Sequence, residues 1–152
     1  MAAHVRTQIR NAIASAVGGL TTTGARVFTS RVYPLERTDL PGLLVRIAAG
    51  SPEQVQRDTV HAPALLTRTL PVEVVAVARA VDDLDDTLDQ IALEVETALA
   101  EPVAALAGIA KYIVLQSVQV DMTDGGEKPT GTITMQYEVE YFTLDNSPDV
   151  SV

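Results

Sequence analysis

The segment from Gly131 to Thr143 alternates apolar and polar side chains almost without error. Its apolar positions are Ile133, Met135, Tyr137, Val139 and Tyr141, and its polar positions are Thr132, Thr134, Gln136, Glu138 and Glu140. Because successive side chains of a strand point to opposite faces, the pattern predicts a strand with one buried and one solvated face. A register shift of one residue would expose all the apolar side chains, so the register is fixed. Such a strand needs a partner strand and a covering layer.

Composition supports a single domain with an aliphatic core. The chain has 152 residues, of which 47% are hydrophobic and only 4% aromatic. This length is typical of one domain that buries most of its apolar surface. The absence of cysteine excludes disulfides and thiolate metal sites, and we expect synthesis in the cytoplasm. The N-terminus lacks the apolar run of a signal peptide, and residues 103–110 are too short to span a bilayer, so we expect no membrane association.

Apolar periodicity predicts the order helix, strand, strand, strand, helix, strand, strand. The helices are expected over residues 3–17 and from 84 to about 99, and the strands over 26–33, 43–48, 64–81, 112–122 and 131–143. Two helices cannot cover both faces of five strands. We therefore predict an α+β fold: a two-layer sandwich with a mixed, mostly antiparallel sheet of about five strands and two helices on one face. Residues 1–144 form this domain, and residues 145–152 are expected to be a flexible tail.

Four local features refine this prediction. Pro71 cannot donate a ladder hydrogen bond, so it is expected at a sheet edge, at a bulge or where the third strand leaves the sheet. Residues 53–63 are polar and unpatterned, and they are predicted to form the longest loop. In the fourth strand the apolar side chains, which are expected on one face, are Val114, Val118, Val120 and Met122. The residues 124–126, Asp-Gly-Gly, predict a hairpin turn into the last strand.

The sequence carries no pattern typical of catalysis. His4 and His61 are the only histidines, and neither has a nearby serine and carboxylate that would suggest a nucleophilic triad. The acidic run at residues 82–86 is explained by helix capping and the helix dipole rather than by a divalent cation. We expect a protein that is not an enzyme and has no metal or cofactor. A long loop and an open sheet edge invite protein partners, although an ordinary solvated loop explains the polar segment equally well.

Several segments together resemble the tail terminator proteins of long-tailed phages, of the lambda minor tail protein U type. They are the first helix with residues 23–28 (Thr-Gly-Ala-Arg-Val-Phe), residues 39–41 (Asp-Leu-Pro) with the strand at 43–48, residues 70–77 with the following helix, and residues 132–139. The match covers most of the chain. Each segment by itself is short and common among β-strands.

The resemblance implies a structural protein of the virion, located in the tail at the junction with the head. The chain would assemble as a homo-oligomer, a hexameric ring, that caps the last ring of the major tail-tube protein, stops tube growth and presents the surface that joins the head-tail connector proteins. The tube contacts are expected in the loop and the start of the long strand, at Glu53, Gln54, Gln56, Arg57, Asp58 and Arg68.

The formal net charge of −9 fits this role. Sequence-independent binding to nucleic acid depends on clustered Lys and Arg, which are few and scattered here. An acidic lumen would let DNA pass without specific binding, because it repels a polyanion.

Two alternatives remain open. A head-tail joining or tail-completion protein of the phage neck has similar size and α+β character, and gene position would distinguish it, since a terminator gene is expected just before the tail-tube gene. A small enzyme or ligand-binding module is the more remote alternative. An ordered ligand between sheet and helices would favour it.

Overall fold

Two long antiparallel strands form the centre of the sheet. A computed structural model describes residues 2–29, 39–80, 82–123 and 129–152. The elements in chain order are α1 (Val5–Ala16), β1 (Val27–Thr29), β2 (Gly42–Ile47), β3 (Gln54–Arg57), β4 (Leu65–Arg79), α2 (Leu84–Ala98), a short 3-10 helix (Ala104–Leu106), β5 (Tyr112–Thr123), β6 (Thr130–Leu144) and β7 (Ser147–Ser151). β4 and β6 pair along their whole length, from Leu65 opposite Leu144 to Arg79 opposite Thr130.

The remaining strands attach to this central pair. The main sheet has the order β1-β2-β4-β6-β5, in which only the β1 and β2 pair is parallel. The short strand β3 pairs with β4, and the short strand β7 pairs with β6, so both lengthen the sheet at one end. The predicted α+β architecture, with a mixed and mostly antiparallel sheet and two helices, is confirmed.

The core lies between the helices and one face of the sheet, here called the inner face. From α1 and its C-terminal cap it takes Val5, Ile9, Ile13 and Val17, and from α2 it takes Leu84, Leu88, Ile91, Ala92 and Val95. These sets follow the 3.6-residue helical period, as the sequence predicts. α1 ends before Gly19, whose φ of 77° places it in the left-handed region that glycine adopts without strain.

The alternation that the sequence predicts for β6 is complete. Buried and half-buried residues alternate through all 15 positions of the strand. Tyr141 and Thr143 continue the buried series, and both are fully buried. The opposite, outer face carries the polar residues, among which Gln136 donates from Nε2 to Glu73 Oε1 at 2.9 Å. Glu73 also accepts from Arg46 Nε at 2.8 Å, so a chain of polar contacts crosses three strands on this face.

Pro71 lies inside the sheet, at a position where no neighbouring strand requires a hydrogen bond from its backbone nitrogen. On one side, β2 pairs with β4 only as far as Val72, and β3 begins its pairing at Thr69. Pro71 falls in the gap between these two neighbours, where its carbonyl accepts from Ala48 N at 2.9 Å. The strand neither ends nor bulges there, so the expectation of an edge, a bulge or a departure from the sheet is wrong. At this point β3 replaces β2 as the neighbour of β4.

A bulge divides β5 into two parts. The pairing with β6 shifts between Leu115 and Ser117, which adds Gln116 to one strand only and reverses the facing of all later residues. Val114 lies opposite Glu138 on the outer face, whereas Val118 and Val120 lie opposite Met135 and Ile133 on the inner face. The prediction that all the apolar residues of this strand share one face is therefore wrong for Val114.

Other predictions are corrected at the ends of elements. Residues 147–151 of the predicted flexible tail form β7, which is held by pairing with β6 and by Gln8 Nε2, which donates to the Asp149 carbonyl at 2.9 Å. At the start of α2, Asp83 occupies the cap position with a left-handed φ of 53°, but its side chain makes no capping hydrogen bond. The predicted first strand is described only as far as Thr29, and the turn at 124–126 lies outside the described residues.

The alternation of β6 generates a stability prediction. Val139 is fully buried, so Val139→Asp places a charge without a partner in the core and should lower the free energy of unfolding by several kcal/mol. Glu138→Gln on the solvated face should change the free energy of unfolding by less than about 0.5 kcal/mol. Glu138 accepts from Tyr112 Oη at 3.2 Å, and the amide oxygen of the variant can accept the same hydrogen bond. Urea unfolding measures both variants. Equal midpoints would contradict this assignment of faces.

The N-terminus of α1 generates a second prediction. His4 caps the helix by accepting from Arg6 N at 3.1 Å through Nδ1, which requires the neutral imidazole. Burial and the charges of Arg6 and Arg68 lower the pKa of His4 below its ordinary value of 6.5. On acidification, His4 is therefore protonated in the unfolded chain at a higher pH than in the folded chain. The contribution of His4 to the free energy of unfolding is complete above pH 6.5 and is lost as the pH falls through the lowered pKa.

His4→Asn replaces the capping Nδ1 with the side-chain oxygen of an amide, which can accept from Arg6 N but does not titrate. Urea unfolding between pH 5 and pH 7.5 should show a smaller acid loss of stability in this variant than in the parent protein. Identical pH dependence of the two proteins would show that the cap does not depend on neutral His4.

Candidate functional site: a braced hairpin

The predicted long loop contains a β-hairpin made by β3 and the start of β4. β3 pairs with β4 from Gln54 opposite Thr69 to Arg57 opposite Leu66, so the expectation of an unstructured loop is wrong here. The periodicity of the sequence gives no sign of this strand because it is only four residues long, three of them polar and all four exposed. It forms because β4 extends past the end of β2 and offers its edge. The hairpin, residues 53–69, lies where β4 extends past the end of β2.

The base of the hairpin is held by a cluster of charged and aromatic side chains. Glu53, whose side chain is only 10% exposed, accepts from Arg6 NH1 at 3.1 Å and from Arg68 NH1 at 3.5 Å. Its other carboxylate oxygen accepts from the hydroxyl of Tyr141. One carboxylate, on the residue just before β3, therefore connects α1, β4 and β6. We call these four residues, Arg6, Glu53, Arg68 and Tyr141, the base cluster.

Arg68 is almost as buried as Glu53, at 12% side-chain exposure. Its Nε donates to Thr143 Oγ1 at 3.0 Å, and its guanidinium lies 6.0 Å from the centroid of the Tyr141 ring. Burial, followed by the hydrogen bond to Glu53, raises the pKa of Tyr141, so its hydroxyl remains a donor at neutral pH. Buried charges of this kind are tolerated only when paired, and this cluster satisfies that condition.

The tip of the hairpin is ordered by its own side chains. Arg57 donates from Nε to the Thr59 carbonyl at 2.9 Å and from NH2 to the Val60 carbonyl at 3.2 Å. The hydroxyl of Thr59 accepts from Leu65 N at 2.9 Å, and Asp58 accepts from the hydroxyl of Thr67. These contacts lower the entropy that the loop would lose on binding a partner.

The predicted contact residues thus fall into two groups. Gln54, Gln56, Arg57 and Asp58 are exposed on the hairpin, as expected. Glu53 and Arg68 are largely buried in the base cluster, so the expectation that they are exposed is wrong. Arg68 lies on the same face of β4 as Leu66 and Leu70. The two-residue period of a strand therefore predicts that Arg68 is on the inner face.

Two exposed valines of the hairpin are not among the predicted contact residues. Val60 is 87% exposed at the tip, and Val55 is exposed on β3. An exposed apolar side chain on an ordered loop contributes free energy of burial if a partner covers it. The signal was present in the sequence as two isolated valines in a polar segment. The arrangement supplies aliphatic anchors, amide groups and two fixed charges, which suit binding rather than bond chemistry.

A concave site lies elsewhere, beside the 3-10 helix. It has a volume of about 300 Å³ and apolar walls that include Pro102, Val103 and Leu106. Its polar groups are engaged within the protein: Glu101 Oε1 accepts from Ile113 N at 2.7 Å, and Tyr112 donates to Glu138. Among the described residues, no group of three or more His, Asp or Glu side chains is placed to hold a metal ion.

Comparison with known proteins gives little guidance. No protein-family model and no curated protein matches the chain. Among solved structures, the chain is similar to a chain in the virion of a native gene transfer agent particle, with 18% sequence identity and a TM-score of 0.40 over 90% of this chain and 92% of that chain. This likeness is too weak to carry an argument about function. In the described part of the chain, no helix has the length and apolar character needed to cross a membrane.

The base cluster generates a prediction about stability. Glu53→Leu leaves the buried guanidinium of Arg68 without a counter-charge and should cost about 3 to 5 kcal/mol. Arg68→Met should cost less, because Glu53 keeps its contacts with Arg6 and Tyr141. Gln56→Leu on the exposed face of β3 is the control, with a change within about 0.5 kcal/mol. The three free energies of unfolding are measured in urea. Equal values for Glu53→Leu and Gln56→Leu would refute the role of the cluster.

Proposed function

We propose that the protein is a structural component of a phage-like virion, namely a tail terminator that acts as a ring on the end of the tail tube. The braced hairpin is the observation that carries this proposal. It presents an ordered, exposed set of apolar and polar groups at one end of the sheet, where it can meet a partner without refolding. The sequence resemblance described above supplies the identity of that partner, the major tail-tube protein.

The mechanism requires binding and no bond chemistry. One side of a homo-oligomeric ring, proposed to be a hexamer, complements the tube end through the hairpins. The other side lacks the features that recruit a further tube subunit, so polymerisation stops and the head-tail connector proteins meet a new surface. The protein is proposed to be made in the host cytoplasm and to stay in the virion at the head-tail junction.

Charge supports the passage of DNA through such a ring. The chain has a formal net charge of −9, and the outer face of β6 presents Glu138 and Glu140 among neutral polar residues. A lumen lined by these groups would repel the phosphate backbone and keep DNA mobile. The same residues would be covered if the outer face packs on a neighbouring subunit.

The enzyme alternative receives no specific support from the described residues. The cavity beside the 3-10 helix places its polar side chains in contacts with the protein itself. A head-tail joining protein remains the second candidate, since it would use an ordered hairpin in the same way. Binding to purified tail-tube protein distinguishes the two, because only the terminator recognises the tube end.

A hairpin variant tests the proposal. Charge reversal at Arg68 would disturb the fold as well as the surface, because Arg68 is buried and paired with Glu53. Val60→Asp at the exposed tip should instead leave the fold and melting temperature unchanged but prevent capping. Tail tubes assembled with this variant should be over-long in electron micrographs, whereas Val150→Asp, at the one exposed position of β7, should cap normally. Tubes of normal length with Val60→Asp would contradict the assignment of the hairpin.

A further inference from the structure

A second depression lies between the end of α2 and the start of β5. It has a volume of about 380 Å³ and is open to solvent. Its apolar lining includes Leu99 and Ala100 at the end of the helix, and Ile113 and Leu115 on the strand. Leu115 lies opposite Tyr137 in the pairing of β5 with β6, and Tyr137 belongs to the same lining. The depression therefore joins α2 to the inner face of the sheet.

The hydroxyl of Tyr137 is a buried polar group without a protein partner. Tyr137 is only 4% exposed, and its Oη makes no hydrogen bond with any described residue. Burial, followed by the charge of Glu96, raises the pKa of Tyr137, so the phenol stays protonated at neutral pH. Because Coulomb interactions weaken with distance, this effect places the Glu96 carboxylate near the hydroxyl. A phenol oxygen can donate and accept, and a ligand that bonds to it removes the cost of leaving it unbonded.

Two carboxylates accompany this hydroxyl in the lining. Glu96 is half-buried on α2, and no ion pair between described residues involves it. Glu101 follows the helix and uses Oε1 to accept from Ile113 N at 2.7 Å, while Oε2 makes no hydrogen bond within the described chain. Neither Lys nor Arg is among the residues that line the depression. The lining is therefore negatively charged, and its oxygens come from α2, from the segment after it and from β6.

A primary alkylammonium group matches this lining. Its three N–H groups are all donors and can point toward oxygens on different elements, whereas a guanidinium presents its donors in one planar fork. An anionic ligand is excluded because two carboxylates repel it. The aliphatic stem of the group packs against Leu99, Ile113 and Leu115, as lysine stems pack on apolar surface elsewhere.

We propose that this depression binds the side chain of a lysine that projects from a partner protein. The ammonium donates to Glu96, to Oε2 of Glu101 and to the Tyr137 hydroxyl, and the stem lies along the aliphatic lining. An opening to solvent suits a side chain inserted from a neighbouring protein, because the rest of that protein stays outside. This inference does not depend on the role proposed for the hairpin.

Capped amino acids test the chemistry of the ligand on the full-length protein. The probe is Nα-acetyl-lysine methylamide, and its matched control is Nα-acetyl-norleucine methylamide, which has the same carbon stem but no ammonium. Protein labelled with carbon-13 at tyrosine Cζ carries one signal for each of its four tyrosines, and Tyr137→Phe identifies the signal of Tyr137. The lysine probe should shift this signal with a roughly millimolar Kd, and the norleucine control should bind at least about tenfold more weakly.

Variants of the protein test the location. Glu96→Gln should weaken binding of the lysine probe about tenfold, because the amide keeps the shape of the side chain but not its charge. Asp89→Asn is the matched control, since it removes one charge from an exposed position of the same helix outside the depression. It should change the affinity by less than about twofold at physiological salt. Tyr137→Phe should not lower the melting temperature, because it removes a hydroxyl that has no partner.

Other outcomes would contradict the proposal. A Tyr137 signal that stays unchanged at about 100 mM lysine probe would show that the hydroxyl binds no ammonium. Equal affinities of the lysine and norleucine probes would reduce the depression to an apolar contact. Equal effects of Glu96→Gln and Asp89→Asn would reduce the binding to a general attraction by net charge. Spermidine that binds more than about tenfold more tightly than the lysine probe, and loses this affinity in Glu96→Gln, would assign the depression to free polyamines.

Discussion

The pairing of β4 with β6 is the constraint on which the rest of the structure depends. Both strands are 15 residues long, and they stay in register from end to end. β2 and β3 pair with β4, β5 and β7 pair with β6, and α2 packs on both. A shift of one residue would turn Val139 and Tyr141 to solvent and would also separate Arg68 from Tyr141. The register thus fixes the core and the base of the hairpin together.

The length of this pair also explains why the molecule has two surfaces of different character. At one end the central strands extend past β2 and accept β3 and β7, and the base cluster holds the resulting hairpin to α1. On the side of β6, the bulge of β5 brings an apolar stripe to an edge that no helix covers. One surface is a projecting hairpin, and the other is a strand edge beside carboxylates. Both suit contacts with protein chains.

The sequence predicted what periodicity can encode. The helices and β6 follow clear periods of 3.6 and two residues, so their existence and buried faces were predicted correctly. β3 and β7 were missed because short polar strands have no such period and form only where a longer strand offers its edge. Arg68 was misplaced because its charge was given more weight than its position in the alternation. Nothing in the sequence marked Gln116 as the bulge residue, and that one insertion decides which valines of β5 line the inner face.

The most direct test of the account is electron microscopy of tail tubes assembled with the purified protein. A ring of this chain is expected on one end of each tube, with the hairpin at residues 53–69 in contact with the last ring of tube subunits. Tube lengths should then stay constant when more tube protein is added. Tubes that bear no such ring, or that continue to lengthen in the presence of the protein, would contradict the central claim.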